Sequence, residues 1–377
     1  MKNKGFTLVE LLAVIAILAI LVIIALPNVL KMFNDSKKNS FLTEAKTVYS
    51  EVSKKYISES MKGNKLTYVN SEDDTKLDMT GKKLQYCVLL NADGSVKSMK
   101  VSNGEWIAEL SGNKKITDLK STDLKNGNLD NEECGPKKPK TFKEDSWDTI
   151  ANAVRTGNTS KYNVGDTKEV DLGTYGKHTL RISNMSTPDE CSQEGFSKSA
   201  CGFVVEFTDI ITTYNMNPSG DYNGKTYHDG WNKDGWPKSQ MKTFIDNDIY
   251  NSLPKELKSV IITTETVSGH GSEDTNNFTS PDKLYLLSTA EVWKDSPAAD
   301  TAKNKTRQLD YYNSKGVTAS SYASAIKKNS AGTADWWWLR CASSNDNYGF
   351  YAVSYTGAWS DTGAGSTCGV SPAFRIG

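Results

Sequence analysis

Apolar residues fall into three successive patterns along the chain, and each predicts a different element. Phe6 to Leu26 is a nearly continuous apolar run whose one charged residue is Glu10. At about 1.5 Å per residue, a helix of that length crosses a hydrocarbon core of about 30 Å. Beyond Pro27 the run becomes a stripe. Phe41, Ala45, Val48, Val52 and Tyr56 recur at three- and four-residue spacing among Lys, Glu and Ser, which places one apolar face on a helix that continues outside the membrane. Short strands then take over. Leu84 to Leu90 and Val96 to Val101 flank Asn91-Ala92-Asp93-Gly94, a hairpin turn in which Gly94 supplies positive φ. Residues 61–134 therefore read as a small β-rich head on the helical stripe, with 111–135 a polar loop.

Gly135-Pro136-Lys137-Lys138-Pro139-Lys140 combines helix breakers with like charges, so 135–145 reads as an extended linker. Past it, Ser146 caps a short helix that reaches Arg155. Val170 to Leu172, His178 to Ile182 and Gly202 to Thr208 read as strands, while Pro237 to Ser252 and Ala290 to Val292 look helical or turn-like. Residues 146–377 thus form a second, larger α+β domain.

A chain of 377 residues exceeds what one core usually serves. Its 45 basic and 45 acidic residues cancel and no basic stripe stands out, so no nucleic-acid partner is expected. Lys2 and Lys4 precede the apolar run without an acidic residue, which leaves the leader in the cytoplasm and sends the rest outward. A secretory signal peptide would end in a small-x-small site after its apolar stretch. Here the small residue, Gly5, comes before it, so cleavage there keeps the helix. Export permits disulfides. The six cysteines form three sequence-local pairs, Cys87 with Cys134, Cys191 with Cys201 and Cys341 with Cys368, each inside one proposed unit. Unpaired thiols are the alternative, since no CxxC spacing competes.

Gly5-Phe6-Thr7-Leu8-Val9-Glu10-Leu11-Leu12 resembles the prepilin signature of type IV pilins and type II secretion pseudopilins. The resemblance implies a leader at 1–5, cleavage after Gly5 by a prepilin peptidase and N-methylation of Phe6. It also implies a transmembrane and amphipathic pilin helix at 6–60, with a break near Pro27, where the missing N–H and ring clash disturb the hydrogen-bond ladder. A carboxylate in hydrocarbon is costly unless paired or protonated, and the resemblance gives Glu10 its partner, the terminal amine of a neighbouring subunit. Other pilin subunits, the peptidase and the membrane are the implied partners. The implied location is the cytoplasmic membrane and then a pilus or the cell surface.

At the far end, Trp336-Trp337-Trp338-Leu339-Arg340 and Gly369-Val370-Ser371-Pro372-Ala373-Phe374-Arg375-Ile376 resemble the C-terminal half of a bacterial surface-domain family and, more loosely, the C-type lectin-like fold. The resemblance spans about 146–377, including Cys191 to Phe207 and Lys283-Leu284-Tyr285-Leu286-Leu287-Ser288. It implies that the two end motifs are core strands and that the stretch between them lies on an exposed, ligand-facing surface. That stretch, 341–368, has no Lys, Arg, Glu, Gln, Met or Pro. Turn-forming residues in plain loops account for this. So does a binding surface of Tyr348, Phe350, Tyr351, Tyr355 and Trp359 among Ser, Asn and Asp, a paratope-like mixture. A third account is retroelement diversification of lectin-like proteins at asparagine codons, from which Trp359 alone departs. Cys341 and Cys368 would then staple the loops.

Candidate chemistry is sparse. Of the three histidines, His178 lies in a strand pattern, and His270 in Gly269-His270-Gly271 has no GxSxG elbow or third orienting residue. No Walker loop, dinucleotide fingerprint or HExxH occurs. Asp221 to Gly235 is rich in Asp, Asn and Gly but lacks EF-hand spacing, and reads as a solvated, aromatic-bearing loop. No catalytic residue, metal or cofactor is expected. The expected function is a minor pilin or pseudopilin displaying an adhesin-like domain for a glycan or protein ligand. The alternatives are a structural pseudopilin of a secretion or DNA-uptake filament without its own ligand and, third, an exported enzyme.

Overall fold

The computed structural model describes residues 7–72, 75–79, 83–112, 114–129, 134–135 and 139–377. Gly5 and Phe6 lie outside the described residues. The chain folds as two compact units, 1–137 and 138–377.

The first unit is built on one helix, α1 (Leu8–Met61). Its membrane-like half is exposed on all sides from Leu8 to Phe33, and the burial that begins at Phe41 follows the stripe: Phe41, Ala45, Val48 and Val52 are buried. The break expected at Pro27 does not occur, because α1 runs through it. A proline in a helix interior removes one ladder bond, and the hydrogen bonds of the turns on either side keep the helix continuous. Five strands follow: β1 (Tyr68–Asn70), β2 (Gln85–Leu90), β3 (Val96–Ser102), β4 (Trp106–Ser111) and β5 (Lys125–Asn126). They form an antiparallel sheet in sequence order. β2 alternates half-buried and buried positions, and Val88, Met99, Val101 and Ala108 share a core with the α1 stripe. The β2–β3 turn is closed by Asn91 N–H donating to the Ser95 carbonyl at 2.8 Å. Gly94 has φ 82° there, and a Cβ on it would fall 2.2 Å from the Tyr56 ring. Only glycine meets both demands. A disulfide joins Cys87 to Cys134. The segment expected to be a plain loop contributes β5, which extends the sheet edge beside β4.

The second unit opens with α2 (Trp147–Thr156), whose first turn is capped by Ser146 accepting from Thr149 N–H at 3.2 Å and whose end is closed by Gly157 at φ 71°. In chain order come β6 (Thr167–Asp171), β7 (Lys177–Asn184), β8 (Val204–Phe207), β9 (Thr212–Tyr214), β10 (Gly220–Tyr222), β11 (Lys225–Tyr227), β12 (Ile261–Ile262), β13 (Thr264–Ser268), β14 (Phe278–Asp282), β15 (Lys327–Lys328), β16 (Ala334–Asp335), β17 (Trp337–Ala342), β18 (Gly349–Val353), β19 (Trp359–Gly363), β20 (Cys368–Val370) and β21 (Ala373–Ile376). One five-stranded sheet has the order β12-β21-β8-β7-β6 and is antiparallel throughout. The other has the order β19-β18-β17-β20-β9, with β17 and β20 parallel. Three hairpins, β10–β11, β13–β14 and β15–β16, stand apart.

The last ten residues serve both sheets. β20 lies in one sheet and β21 in the other, with Ser371-Pro372 crossing between them. Ser371 Oγ marks the crossing, donating to the Asp209 carbonyl at 2.8 Å and accepting from Lys327 Nζ at 2.9 Å. The fold is α+β: a long apolar helix followed by mainly antiparallel sheets.

Candidate functional site

A rigid, charged floor underlies the surface of the second unit. Arg340 on β17 and Glu291 in the one-turn helix Thr289–Val292 are fully buried and pair through both guanidinium ends, Nη1 to Oε2 at 2.7 Å and Nη2 to Oε1 at 2.6 Å. The remaining donors and acceptors are met as well. Arg340 donates to the carbonyls of Val267 (3.0 Å) and Leu286 (2.8 Å), while Glu291 accepts from Ser199, Thr306 (2.9 Å) and Ser288 N–H (3.0 Å). Burial disfavours a charged Glu291, yet Arg340 and these hydrogen bonds hold its carboxyl below the usual value. A second hub centres on buried Glu206, which accepts from Arg181 (2.8 Å), Lys327 (2.9 Å) and Tyr312 (2.9 Å). There too burial is outweighed, by Lys327 and Arg181, and the carboxyl sits at about 2. Trp337 and Trp338 are fully buried and donate to the Ala325 and Tyr214 carbonyls. Their role is core packing, and Trp336 packs against that core from its edge.

The aromatic set expected to face a ligand divides. Tyr348 and Tyr355 are exposed and Trp359 is just so, at 36%. Phe350 and Tyr351 are not surface residues: β18 is buried over its whole length, because β17 and β19 flank it and the core lies against it. The stretch 341–368 therefore alternates strands, at 341–342, 349–353, 359–363 and 368, with connecting turns, and is not one continuous loop surface. Val353 pairs with Trp359 and Gly349 with Gly363, so Tyr355 and Trp359 sit at one end of the hairpin and Tyr348 at the other. At about 3.4 Å per residue the ends are roughly 17 Å apart. The turn at the Tyr355 end requires Gly357, which has φ 92° and would place a Cβ 2.2 Å from the Tyr322 carbonyl oxygen.

Two disulfides form, Cys87–Cys134 and Cys191–Cys201, but the expected Cys341–Cys368 bridge does not. Parallel pairing sets Trp337 opposite Gly369, so Cys341 lies about five residues, roughly 16 Å, along the strands from the level of Cys368. No side-chain rotation spans that distance. Burial raises the Cys341 thiol far above its usual range and pushes Cys368 up to about 12. Both thiols are expected to resist a thiol reagent in the native protein and to react, two per chain, in denaturant. Mass spectrometry of alkylated protein that found this pair oxidised would overturn the assignment.

The Tyr348 end belongs to a pinned cluster of loops. Glu273 accepts from Lys225, from Tyr227 Oη at 2.8 Å and from Asn347 Nδ2 at 2.9 Å, and these bonds hold its carboxyl at about 2. Tyr222 stacks on Trp231 with ring centres 4.6 Å apart and donates to Asp234 at 2.8 Å. Asn232 Nδ2 donates to the Gly349 carbonyl at 3.0 Å, tying this loop to the hairpin. Sequence reasoning marked Asp221 to Gly235 as a solvated aromatic loop. Its partnership with 273 and 346–348 is a long-range contact that no local pattern announces. His178 is a packed residue, bonded to Asp209 (3.0 Å) and the Tyr175 carbonyl (2.9 Å), and His270 Nδ1 lies 2.8 Å from the Gly271 carbonyl. Among the described residues, no three His, Cys, Asp or Glu side chains converge to hold a metal ion.

In the first unit, Thr7 and Glu10 form a reciprocal cap at the start of α1. The Glu10 carboxylate accepts from Thr7 N–H at 2.8 Å and from Thr7 Oγ1 at 2.9 Å, and Glu10 N–H donates back to Thr7 Oγ1 at 3.3 Å. Such a box satisfies two otherwise unpaired backbone donors at the apolar end of the helix. Residues 1–26 match the family model described as the prokaryotic N-terminal methylation motif. The chain has a type IV pilin-like N-terminus. That signature implies processing by a prepilin peptidase and assembly with other pilins, and with the apolar helix it fits a membrane-anchored protein with an extracellular C-terminal part. Residues 207–377 match a domain of unknown function, DUF6273. This is narrower than the 146–377 span of the resemblance, and it starts at the end of β8, leaving out α2 as well as β6 and β7, which complete the β12-β21-β8-β7-β6 sheet. No curated protein and no solved structure matches the chain.

Proposed function

We propose that this protein is a non-enzymatic minor pilin or pseudopilin whose C-terminal unit is displayed to recognise a glycan or protein on another surface. The observation that carries the reading is the pairing of a pilin-like N-terminus with a second unit whose loops hold aromatics rigidly at the surface. Stacked Tyr222 and exposed Tyr348 offer amphipathic contact area at low entropic cost, and the bonds to Glu273 have already ordered the loops that carry them. A unit of this bulk on every subunit would crowd a helical filament, which favours a tip or rare position.

The test uses cells that express the full chain. Tyr222→Ala together with Tyr348→Ala is expected to lower attachment to glycan- or protein-coated surfaces about tenfold, in line with the roughly 1–2 kcal/mol of a surface aromatic anchor, while filament number stays unchanged. Tyr355→Ala with Trp359→Ala, at the other end of the hairpin, serves as the comparison. If removal of 138–377 abolishes filament assembly or secretion, and neither pair alters attachment, the unit is a structural cap and the recognition reading fails.

A further inference from the structure

A cleft of about 340 Å³ opens on the second unit, between the one-turn helix at 289–292 and the segment 293–308. Its lining includes Lys294, Lys303 and Arg307 and no carboxylate. Arg307 is already engaged, donating to Asp310 (3.0 Å), Asn184 (2.9 Å) and Ser186 (3.0 Å). Lys294 and Lys303 form no ion pair among the described residues. Two of the residues that line it each bury a polar atom without a partner, Trp293 Nε1 and Ser296 Oγ. An indole N–H can only donate, and a buried donor left unpaired costs about 1–3 kcal/mol. The floor is fixed, because Thr306, which also lines the cleft, donates to Glu291 of the buried Arg340–Glu291 pair. A preformed cavity with surplus positive charge and unmet donors is complementary to a group that only accepts and carries negative charge.

We infer that this cleft binds an anionic group, a phosphate or a carboxylate, borne by a surface polymer. The inference rests on the recognition reading and names its ligand chemistry. The cleft also connects with the aromatic loops. Ser344 N–H donates to the Ala299 carbonyl at 3.1 Å, His270 N–H to Thr301 Oγ1 at 3.1 Å, and Asn277 Nδ2 to the Thr301 carbonyl at 3.0 Å. The segment that forms the basic wall therefore also supports the loops that carry Tyr348, and a charged repeating chain could meet both.

The experiment titrates the detergent-solubilised full chain with glycerol 3-phosphate, methyl glucuronide and, as the uncharged control, methyl glucoside, followed by calorimetry. One or both anions are expected to bind and the control not to, with affinity falling as salt rises through the range where the Debye length drops from about 10 Å to about 3 Å. The anion that binds distinguishes a phosphodiester polymer from a uronic acid polymer. Lys294→Glu with Lys303→Glu should weaken binding at least tenfold at unchanged melting temperature. Ser296→Ala should weaken binding severalfold without destabilising the free protein, since the hydroxyl it removes has no partner there. Binding by neither anion, or an affinity within twofold of the original after charge reversal, overturns the inference. If surfaces are still captured while neither anion binds, only the cleft assignment falls. If the anions bind at the cleft but removal of 138–377 leaves attachment unchanged, the cleft stands and the recognition reading falls.

Discussion

Replacing Arg340 by Met is expected to destabilise the C-terminal unit by about 3–5 kcal/mol, the usual consequence of leaving a buried charge without its partner. Arg340 and Glu291 have no exposure, and the arginine also satisfies two carbonyls and a serine hydroxyl. Its removal would strand Glu291 and leave those acceptors unmet. Glu291→Leu combined with Arg340→Met should recover only the part of the loss that comes from the stranded charge, because the Val267 and Leu286 carbonyls and the donors of Ser199, Thr306 and Ser288 stay unmet. Scanning calorimetry of the three proteins checks this, and a single variant that melts like the original would remove the pair from its structural role. The acid limb follows with a definite sign. Glu291 and Glu206 have carboxyls held below their ordinary value of 4.5 in the folded state, Glu206 at about 2. Their contribution is complete above the ordinary value and fades as pH falls from about 4.5 toward 2, since the unfolded chain takes up protons first. In the Arg340 variant the carboxyl of Glu291 has lost the charge that lowered it, so the stability gap between variant and original should narrow as pH falls below about 4.5.

Glu10 carries the second large effect. Glu10→Ala is expected to leave membrane insertion and leader cleavage intact while lowering the filament-incorporated fraction at least tenfold, measured by immunoblot of sheared filaments against membranes. The structure adds a way to separate two roles for the carboxylate. Within one chain it caps α1 through Thr7, a task that glutamine performs nearly as well, whereas neutralising a neighbour's terminal amine requires its charge. Glu10→Gln should thus fail in assembly as Glu10→Ala does, while Thr7→Val, which removes the hydroxyl of the cap, should assemble. Normal assembly of the glutamine variant would assign Glu10 to capping and refute the charge-pairing role.

Much of the N-terminal unit could be read in advance because its signals are local. An apolar run, a 3.6-residue stripe and a turn with glycine at positive φ each state their meaning within a few residues, and Phe41, Ala45, Val48 and Val52 are buried as the stripe requires. The motif around Glu10 is equally local. Pro27 shows the limit of such rules, since a residue that disfavours helix is carried by the intact turns on either side of it.

The second unit could be read in its elements but not in its surfaces. Strands near 170, 180 and 205 and the capped helix at 147–156 follow from periodicity and Ser146. Composition alone leaves open whether Tyr351 faces water or core, because that depends on β17 and β19 lying on both sides of β18. Cys341 and Cys368 are close in sequence, yet the parallel register of β17 with β20 sets them apart. The Arg340–Glu291 pair and the Glu273 loop cluster join residues tens of positions apart. On its own, then, the sequence determined the pilin-like N-terminus, the long apolar helix and the α+β class, for these rest on short-range patterns. Tertiary structure alone decided which aromatics are displayed and that Cys341 and Cys368 stay apart, because both depend on how β17, β18, β19 and β20 come together.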